Sequence, residues 1–244
     1  MGFRDKVAIV AGGGGGIGQG IAEALGAEGA KVVIWDVNEA GAKDTEKRIK
    51  EKGGQAYVMK VDVLKYDETK AAVDQVVVQF GQVDILVTTV GGGPFKPFKD
   101  YTPEFWRKQM EYNADSTFNC CHAVIGPMIK RNYGRILVLN TGAIGMANLA
   151  AYGAGKAASK SLVETLAAEL APNNITANSM TPGLVLTPLT TGAYAALPGG
   201  DKILEQTIKS LPWGANTPEN VAKLALYLVS DDAARVTGQT VNTV

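Results

Sequence analysis

Cysteine and histidine are scarce in this sequence, which holds 2 cysteines and 1 histidine among 244 residues. The cysteines, Cys120 and Cys121, are neighbours, and adjacent cysteines rarely pair, so a disulfide framework is excluded. This usage fits a reducing cytoplasm. The lone His122 has no partners at ligand spacing, so no metal site is expected, and we interpret it as a packed or interface residue.

Net charge is absent as well, because 24 basic residues balance 24 acidic ones. A balanced chain has no electrostatic footprint for nucleic acid or an anionic membrane, which favours a small, weakly charged substrate. No apolar run approaches the roughly 20 residues that span a bilayer, and the start has no stretch of signal-peptide length. We therefore expect a soluble, cytoplasmic protein that binds neither nucleic acid nor membranes.

Short apolar runs alternate with helix-like stretches along the whole chain. The predicted strands cover residues 6–12, 31–36, 55–62, 83–91, 134–140, 175–183 and 238–244. The predicted helices cover 16–30, 39–53, 67–81, 103–131 and 150–171, followed by two less regular helices. This alternation predicts an α/β fold: a doubly wound (Rossmann-type), mostly parallel seven-stranded sheet with helices on both faces. No break in composition divides residues 1–244, so we expect a single domain.

Five consecutive glycines, 12–16, separate the first predicted strand from the first helix. A flexible linker or a tight turn would explain glycine alone. At a strand-to-helix junction, however, the helix N-terminus offers unpaired N–H groups, and a pyrophosphate can rest there if side chains are absent. The position therefore favours dinucleotide binding.

Asp36 ends the second predicted strand, 18 residues after Gly18. In this kind of fold an acid near that position accepts hydrogen bonds from the adenosine ribose and repels the extra phosphate of NADP. Gly15 adds no positive charge to hold that phosphate. Both features predict NAD over NADP, although Asp36 would also suit a helix N-cap or a loop.

Tyr152 and Lys156 stand four residues apart in "AYGAGKAA", which places them on one helical face. A nearby ammonium lowers the pKa of a phenol, so Tyr152 can exchange a proton with an alcohol or ketone oxygen. By themselves the two residues would be ordinary surface side chains. Their significance depends on the other motifs.

Taken together, the motifs resemble those of the short-chain dehydrogenase/reductase family over nearly the full chain. The glycine motif of that family is similar to "AGGGGGIG" (11–18), with Ala11 in place of threonine. Four further motifs of the family have counterparts here. Y-x-x-x-K is similar to Tyr152 and Lys156, and Asp-Val is similar to Asp62 and Val63. The helix asparagine is similar to Asn113, and P-G-x-x-x-T is similar to "PGLVLT" (182–187).

The resemblance implies hydride transfer between a nicotinamide and a substrate carbon. Tyr152 would move the hydroxyl proton, Lys156 would lower the tyrosine pKa and hold the nicotinamide ribose, and Asn113 would anchor a water that links the lysine to solvent. Asn113 also suits a simple structural role inside its helix. The implied cofactor-binding set is Gly12, Gly14, Gly15, Gly16, Ile17, Gly18, Asp36, Asp62, Val63, Thr88, Gly91, Tyr152, Lys156, Val185 and Thr187.

The sequence departs from the family at three places. "TTVG" (88–91) replaces N-N-A-G, and we expect a structural effect first, because Thr88 and Thr89 keep donors and acceptors. The loop after the fifth strand is about three residues short, and Gly142 stands at the position of the catalytic serine. Thr141 is the nearest hydroxyl, and it either replaces that serine or merely caps a strand end. The last family motif has Thr243 near the end of this sequence and lacks its terminal glycines. A trimmed end and a natural end would both explain this.

Substrate choice is expected to depend on the stretch 91–98, the short loop 142–151 and a mobile flap at about 187–214. Within this flap, residues 187–200 lack clear periodicity. Their apolar side chains form the predicted rim: Phe95, Phe98, Met146, Leu149, Leu189, Tyr194 and Trp213. The leading hypothesis is an NAD(H)-dependent oxidoreductase acting on a secondary alcohol or ketone, with a 3-oxoacyl thioester, cyclic or steroid-like substrate.

Two other functions stay open: a dinucleotide-binding protein with weak or no catalysis, given the absent serine, and a structural subunit without cofactor. The resemblance also implies a homotetramer, in which the helices near 103–131 and 150–171 pair between subunits. Small residues such as Ala157 and Ala168 would allow that close packing.

Overall fold

The computed structural model describes residues 2–243. Its seven strands form one sheet in the order β3-β2-β1-β4-β5-β6-β7, and all pairings are parallel. The strands are β1 (Val7–Ala11), β2 (Lys31–Asp36), β3 (Gln55–Lys60), β4 (Ile85–Thr88), β5 (Gly134–Leu139), β6 (Ile175–Thr181) and β7 (Thr240–Asn242). The predicted doubly wound, parallel fold is confirmed.

Helices connect these strands and cover both faces of the sheet. They are α1 (Gly16–Ala27), α2 (Glu39–Glu51), α3 (Tyr66–Phe80), α4 (Pro103–Met110), α5 (Ser116–Arg131), α6 (Ala150–Leu170), α7 (Pro188–Ala195), α8 (Gly200–Ser210) and α9 (Pro218–Leu228). In the described part of the chain, none of them is both long and apolar enough to span a bilayer.

The core has two layers, because successive strand residues point to opposite faces of the sheet. In β1, Val7 and Ile9 join the cluster beneath α3, α5 and α6, whereas Ala8 and Val10 join the cluster beneath α1 and α9. All four side chains are at most 1% exposed. Burial on both faces explains why the strands read as continuous apolar runs.

The single helix predicted at 103–131 is in fact two helices, α4 and α5, joined by a π-helical turn at Glu111–Asp115. A π turn inserts one extra residue and shifts the face that the following residues present. Here the turn places Asn113 at 0% exposure, in a stretch where α4 itself has no buried residue.

The segment that seemed to lack periodicity, 187–200, contains α7 and the start of α8. The side chain of Thr187 caps α7 by accepting a hydrogen bond from the Thr190 N–H at 3.2 Å, and Pro188 occupies the first turn. Thr-Pro pairs start α4 and α9 in the same way. These caps are a local signal that outweighs a weak hydrophobic pattern.

Candidate active site

A cleft of about 680 Å³ opens at the carboxyl ends of β1, β2, β4 and β5. The strand order reverses between β1 and β4, and such a switch point is the usual ligand crevice of an open parallel sheet. Fifteen of the seventeen residues that the sequence predicts for the site line this cleft, and the two exceptions are Asn113 and Thr88. The fifteen are Gly12, Gly14, Gly15, Gly16, Ile17, Gly18, Asp36, Asp62, Val63, Gly91, Thr141, Tyr152, Lys156, Val185 and Thr187.

The glycine run is required by close approaches of the main chain. A Cβ at Gly18 would lie 2.1 Å from the Gly12 carbonyl oxygen, and one at Gly14 would lie 2.7 Å from Asp36 Oδ2. Gly12 and Gly16 have positive φ angles of 80° and 53°, which favour glycine. At Gly15, nothing lies within 4 Å of a Cβ. The loop thus packs tightly against the fold behind it and leaves space at Gly15, just before α1 begins.

Asp36 is held at the end of β2 by two main-chain donors. Its Oδ2 accepts from the Gly14 N–H and its Oδ1 from the Asn38 N–H, both at 2.8 Å. Each of the two carboxylate oxygens keeps a further lone pair, so Oδ1 and Oδ2 can both still accept a hydrogen bond from a ligand hydroxyl. Asn38, and not Asp36, caps α2, which removes the N-cap explanation of Asp36.

Asp62 turns the chain after β3. Its Oδ1 accepts from the Leu64 N–H at 3.1 Å, and Lys65 Nζ lies 3.5 Å from its Oδ2. The next residue, Val63, is fixed by its carbonyl, which accepts from Asn119 Nδ2 at 2.9 Å. Both residues therefore form a rigid wall at one end of the cleft.

Lys156 lies on α6 and is 3% exposed. Its Nζ donates to the carbonyl oxygens of Val90 and Leu139, at 2.9 and 2.8 Å. Burial lowers the pKa of its ammonium to about 8. A Cβ at Gly91 would lie 2.5 Å from this Nζ, so Gly91, with φ at +139°, is the residue that leaves room for it.

Tyr152 lines the cleft one helical turn before Lys156. The sequence predicts that the lysine lowers the pKa of this phenol, and the structure contradicts that direction. The pKa of Tyr152 is raised, first because burial penalises the phenolate, and the charge of Tyr112 adds to the rise. Lys156 is not among the groups that shift the pKa of Tyr152.

Thr141 lines the same cleft as Tyr152. Its interaction with the phenol opposes the rise in the pKa of Tyr152. The Thr141 Oγ1 also accepts from the Ala143 N–H at 3.1 Å, which fixes the side chain and leaves the hydroxyl proton available. Both roles that the sequence left open for Thr141 stay predictions, and its interaction with the Tyr152 phenol favours replacement of the family serine.

Asn113 lies behind the cleft wall and does not line it. Its Oδ1 accepts from the Gly92 N–H at 2.8 Å, and its Nδ2 donates to the carbonyls of Gly92 and Gln109, at 3.0 and 2.9 Å. Its own carbonyl accepts from Ser159 Oγ at 2.7 Å. In this structure Asn113 thus holds the main chain of Gly92; a role in linking Lys156 to solvent stays a prediction.

Thr88 does not line the cleft, and its place in the cofactor-binding set stays a prediction. Its side chain is 1% exposed and lies beside the Cys120 thiol, because alternate strand residues face opposite sides of the sheet. Thr89 lines the cleft instead, and its hydroxyl donates to the Ala11 carbonyl at 3.0 Å. Burial raises the pKa of Cys120 to about 12, which agrees with a packing role for that thiol.

Of the side chains predicted for the apolar rim, Leu189 lines the cleft, and a substrate rim formed by the others stays a prediction. Phe98, Met146, Leu189 and Trp213 are between 52% and 75% exposed, and Phe95 stacks edge-on against Tyr194 at 5.8 Å. Leu149 is the exception, since it is buried in the core at the start of α6. The sequence reasoning also missed Tyr112 and Trp35 in the cleft wall. No motif marks them, and only the register of the π turn and of β2 brings them there.

Among residues 2–243 there is no group of three or more His, Cys, Asp or Glu side chains placed to hold a metal ion. The last described residue, Thr243, donates from its N–H to the Thr181 carbonyl at 2.9 Å and accepts at its Oγ1 from Asn216 Nδ2 at 3.1 Å. These contacts brace the chain that leads to Val185 and Thr187 at the cleft.

The chain is similar to known proteins over nearly its full length. A family model described as enoyl-(acyl carrier protein) reductase matches residues 12–243. The 3-oxoacyl-(acyl-carrier-protein) reductase of Chlamydia muridarum is 33% identical over 239 residues, which cover 96% of this chain and 94% of that protein.

Solved structures of similar proteins superpose closely. A 7α-hydroxysteroid dehydrogenase, solved with NADH and 7-oxo glycochenodeoxycholic acid, has a TM-score of 0.92 and 32% identity, over 99% of this chain and 94% of that one. An actinorhodin polyketide ketoreductase, solved with NADPH, has a TM-score of 0.93 and 30% identity, over 100% of this chain and 97% of that one.

Proposed function

The chain belongs to the short-chain dehydrogenase/reductase family, and we propose that it is an NAD(H)-dependent oxidoreductase that interconverts a secondary alcohol and a ketone. The observation that carries this proposal is the convergence of Tyr152, Thr141 and Lys156 in the cleft that the glycine loop forms. The relatives that it resembles are named as reductases and dehydrogenases.

The cleft fits a nicotinamide dinucleotide. Space at Gly15, before the N-terminus of α1, leaves main-chain N–H groups accessible to a pyrophosphate. Asp36 has acceptor capacity for ribose hydroxyls, and Val185 and Thr187 line the end where the family motif holds the carboxamide. When bound, the nicotinamide supplies the hydride acceptor or donor.

The choice of NAD over NADP rests on Asp36. Its fixed carboxylate would repel a phosphate on the 2′ oxygen, and Gly15 contributes no cation to compensate. Similar proteins have been solved with NADH and with NADPH, so the family alone leaves the choice open.

Residues of this chain would supply the proton to the ketone oxygen. Because burial raises the pKa of Tyr152, its phenol stays protonated at neutral pH and can donate to a ketone oxygen as hydride arrives at the carbon. The Thr141 hydroxyl donates to the same oxygen and stabilises its developing charge. Lys156 is fixed by its contacts with Val90 and Leu139 and would hold the nicotinamide ribose.

The substrate would be apolar or amphiphilic, with its body against the exposed rim of Phe98, Met146, Leu189 and Trp213. A 3-oxoacyl thioester and a cyclic or steroid-like ketone both satisfy this description. We assign residues 187–214, which include α7 and α8, as the substrate flap of a single domain.

We further infer a cytoplasmic homotetramer. Trp106 and Phe118, 37% and 47% exposed, lie on the α4–α5 side beside a second, shallower cavity, as expected for a surface that another subunit covers. Light scattering in solution tests this: a tetramer has about four times the chain mass of 25.6 kDa, and a monomer would contradict it.

The test of the function is NADH consumption at 340 nm over a panel of 3-oxoacyl, cyclic and steroid ketones, with Tyr152→Phe as the comparison. The proposal predicts turnover by the wild type and a loss of about 100-fold or more in the variant. Equal turnover would reject Tyr152 as the acid. Calorimetric binding of NADH without turnover of any ketone would instead favour a dinucleotide-binding protein that does not catalyse.

A further inference from the structure

Tyr112 is a large side chain of the cleft wall with a hydroxyl group, and no family motif marks it. It lies on the π turn, directly before Asn113, and its side chain is 37% exposed. Asn113 is fully buried, so the two neighbours face opposite ways. The π turn thus presents one residue to the core and the other to the cleft.

The two side chains enclose the main chain of Gly91 and Gly92. From behind, Asn113 makes hydrogen bonds to both the N–H and the carbonyl of Gly92, at 2.8 and 3.0 Å. From the cleft side, Cε1 of Tyr112 lies 3.9 Å from the place that a Cβ would take at Gly92. Gly91 and Gly92 have φ angles of +139° and +149°, which a side chain would strain. The ring therefore lies against bare main chain.

The phenol of Tyr112 is a neutral hydrogen-bond donor in this position. Burial raises its pKa, and the nearby carboxylate of Asp36 raises it further, whereas the main chain of Gly91 opposes the rise. Tyr112 lines the same cleft as Asp36, the acid expected at the adenosine ribose, and Tyr152, the acid expected at the substrate.

We propose that Tyr112 is a cofactor-binding residue, whose ring packs against the ADP-ribose part of the dinucleotide and whose hydroxyl donates to a ribose or phosphate oxygen. The proposal rests on the proposed function, since it assumes that the cleft binds a nicotinamide dinucleotide. It adds a residue of this chain that would set the affinity for that ligand without touching the reacting carbon.

The test is the Kd of NADH and of ADP-ribose, measured by calorimetry on the wild type, Tyr112→Phe and Tyr112→Ala. ADP-ribose lacks the nicotinamide ring, so it isolates the contact proposed. Loss of one neutral hydrogen bond predicts a rise in Kd of about 2- to 10-fold for Tyr112→Phe with both ligands. Tyr112→Ala, which also removes the ring, should raise both Kd values by more than about 10-fold.

Tyr66→Phe is the matched control. This tyrosine lies outside the cleft, where its hydroxyl is 2.8 Å from His122 Nδ1, so both Kd values should equal those of the wild type. If Tyr112→Ala does not fold, judged by its thermal midpoint, Tyr112→Phe carries the test, because it keeps the ring.

Several results would overturn the proposal. They are an ADP-ribose Kd unchanged in Tyr112→Phe, an unchanged Kd in a folded Tyr112→Ala, or tighter binding in either variant, which would show that the side chain obstructs the cleft. A wild type that binds NADH but shows one of these results overturns the role of Tyr112 alone. A wild type that binds neither NAD(H) nor NADP(H) overturns the proposed function itself.

Discussion

The carboxylate of Asp36 and the main chain of Gly14 are bound to each other, with the Gly14 N–H donating to Asp36 Oδ2 at 2.8 Å. This contact joins the glycine loop to the end of β2, so the expected phosphate-binding and ribose-binding elements have a fixed relative position. Even one methyl group at Gly14 would collide with the carboxylate, 2.7 Å away. Glycine and aspartate thus form one unit that the cofactor would contact as a whole.

Asp36→Ala should weaken the preference for NADH over NADPH. Removing the carboxylate removes both the ribose acceptor and the repulsion of the 2′-phosphate, so the ratio of the two Kd values should shift toward NADPH by about 10-fold or more. Asp44→Ala is the control, because it removes a similar charge from the exposed face of α2, where Asp44 pairs with Arg48. NADPH affinity as poor in Asp36→Ala as in the wild type would show that repulsion does not set the choice.

Thr141→Ala should lower kcat by about 10²- to 10³-fold, the usual loss when one donor to a developing oxyanion is removed. Thr141→Ser keeps the hydroxyl and should retain kcat within about 3-fold. Steady-state kinetics on the best ketone of the panel measure both. If alanine and serine variants have the same kcat as the wild type, Thr141 does not take the place of the family serine.

The free energy of unfolding should depend on pH through Lys156. Its folded-state pKa of about 8 is below the value of 10.5 for a free lysine, so between these values the unfolded chain binds more protons. Stability therefore rises as pH increases through this window, by up to about 3 kcal/mol. Urea unfolding of the wild type and Lys156→Met across this pH range measures the difference between their free energies of unfolding. If that difference is constant with pH, it contradicts a buried, readily deprotonated Lys156.

Ser159→Ala should destabilise the fold by about 1–3 kcal/mol. Its hydroxyl donates to the Asn113 carbonyl at 2.7 Å and lies 3.0 Å from Thr117 Oγ1, both in the interior, so the substitution leaves buried polar groups unpaired. The matched control on the same helix is Ser161→Ala, which is exposed and should cost little. Equal unfolding free energies for the two variants would mean that Ser159 does not hold the π turn.

Much of this fold follows from the sequence, because the apolar runs of the strands and the glycines and aspartate that follow strands are local signals. Buried parallel strands give apolar runs such as "KVVIWD", and the bounds predicted for that strand, 31–36, are those observed. The glycines and Asp36 could be placed together because the ends of neighbouring parallel strands meet at one edge.

The remaining features depend on tertiary contacts that a local pattern does not contain. The π turn arises where Asn113 bonds to Gly92, a residue 21 positions away, and the orientation of Thr88 follows from the register of β4. The pKa of Tyr152 was predicted in the wrong direction because spacing shows that Lys156 is near, but not how far the fold buries the phenol.

The most direct measurement of the central claim is the transfer of deuterium from NADH labelled at nicotinamide C4 to a ketone, followed by mass spectrometry of the product alcohol. Samples labelled on each face of the ring are compared, with the ketone that the wild type turns over fastest. The account predicts one deuterium on the carbinol carbon from one of the two samples, and loss of that product in Tyr152→Phe. An alcohol product without label from either sample, or the absence of any product, would contradict it.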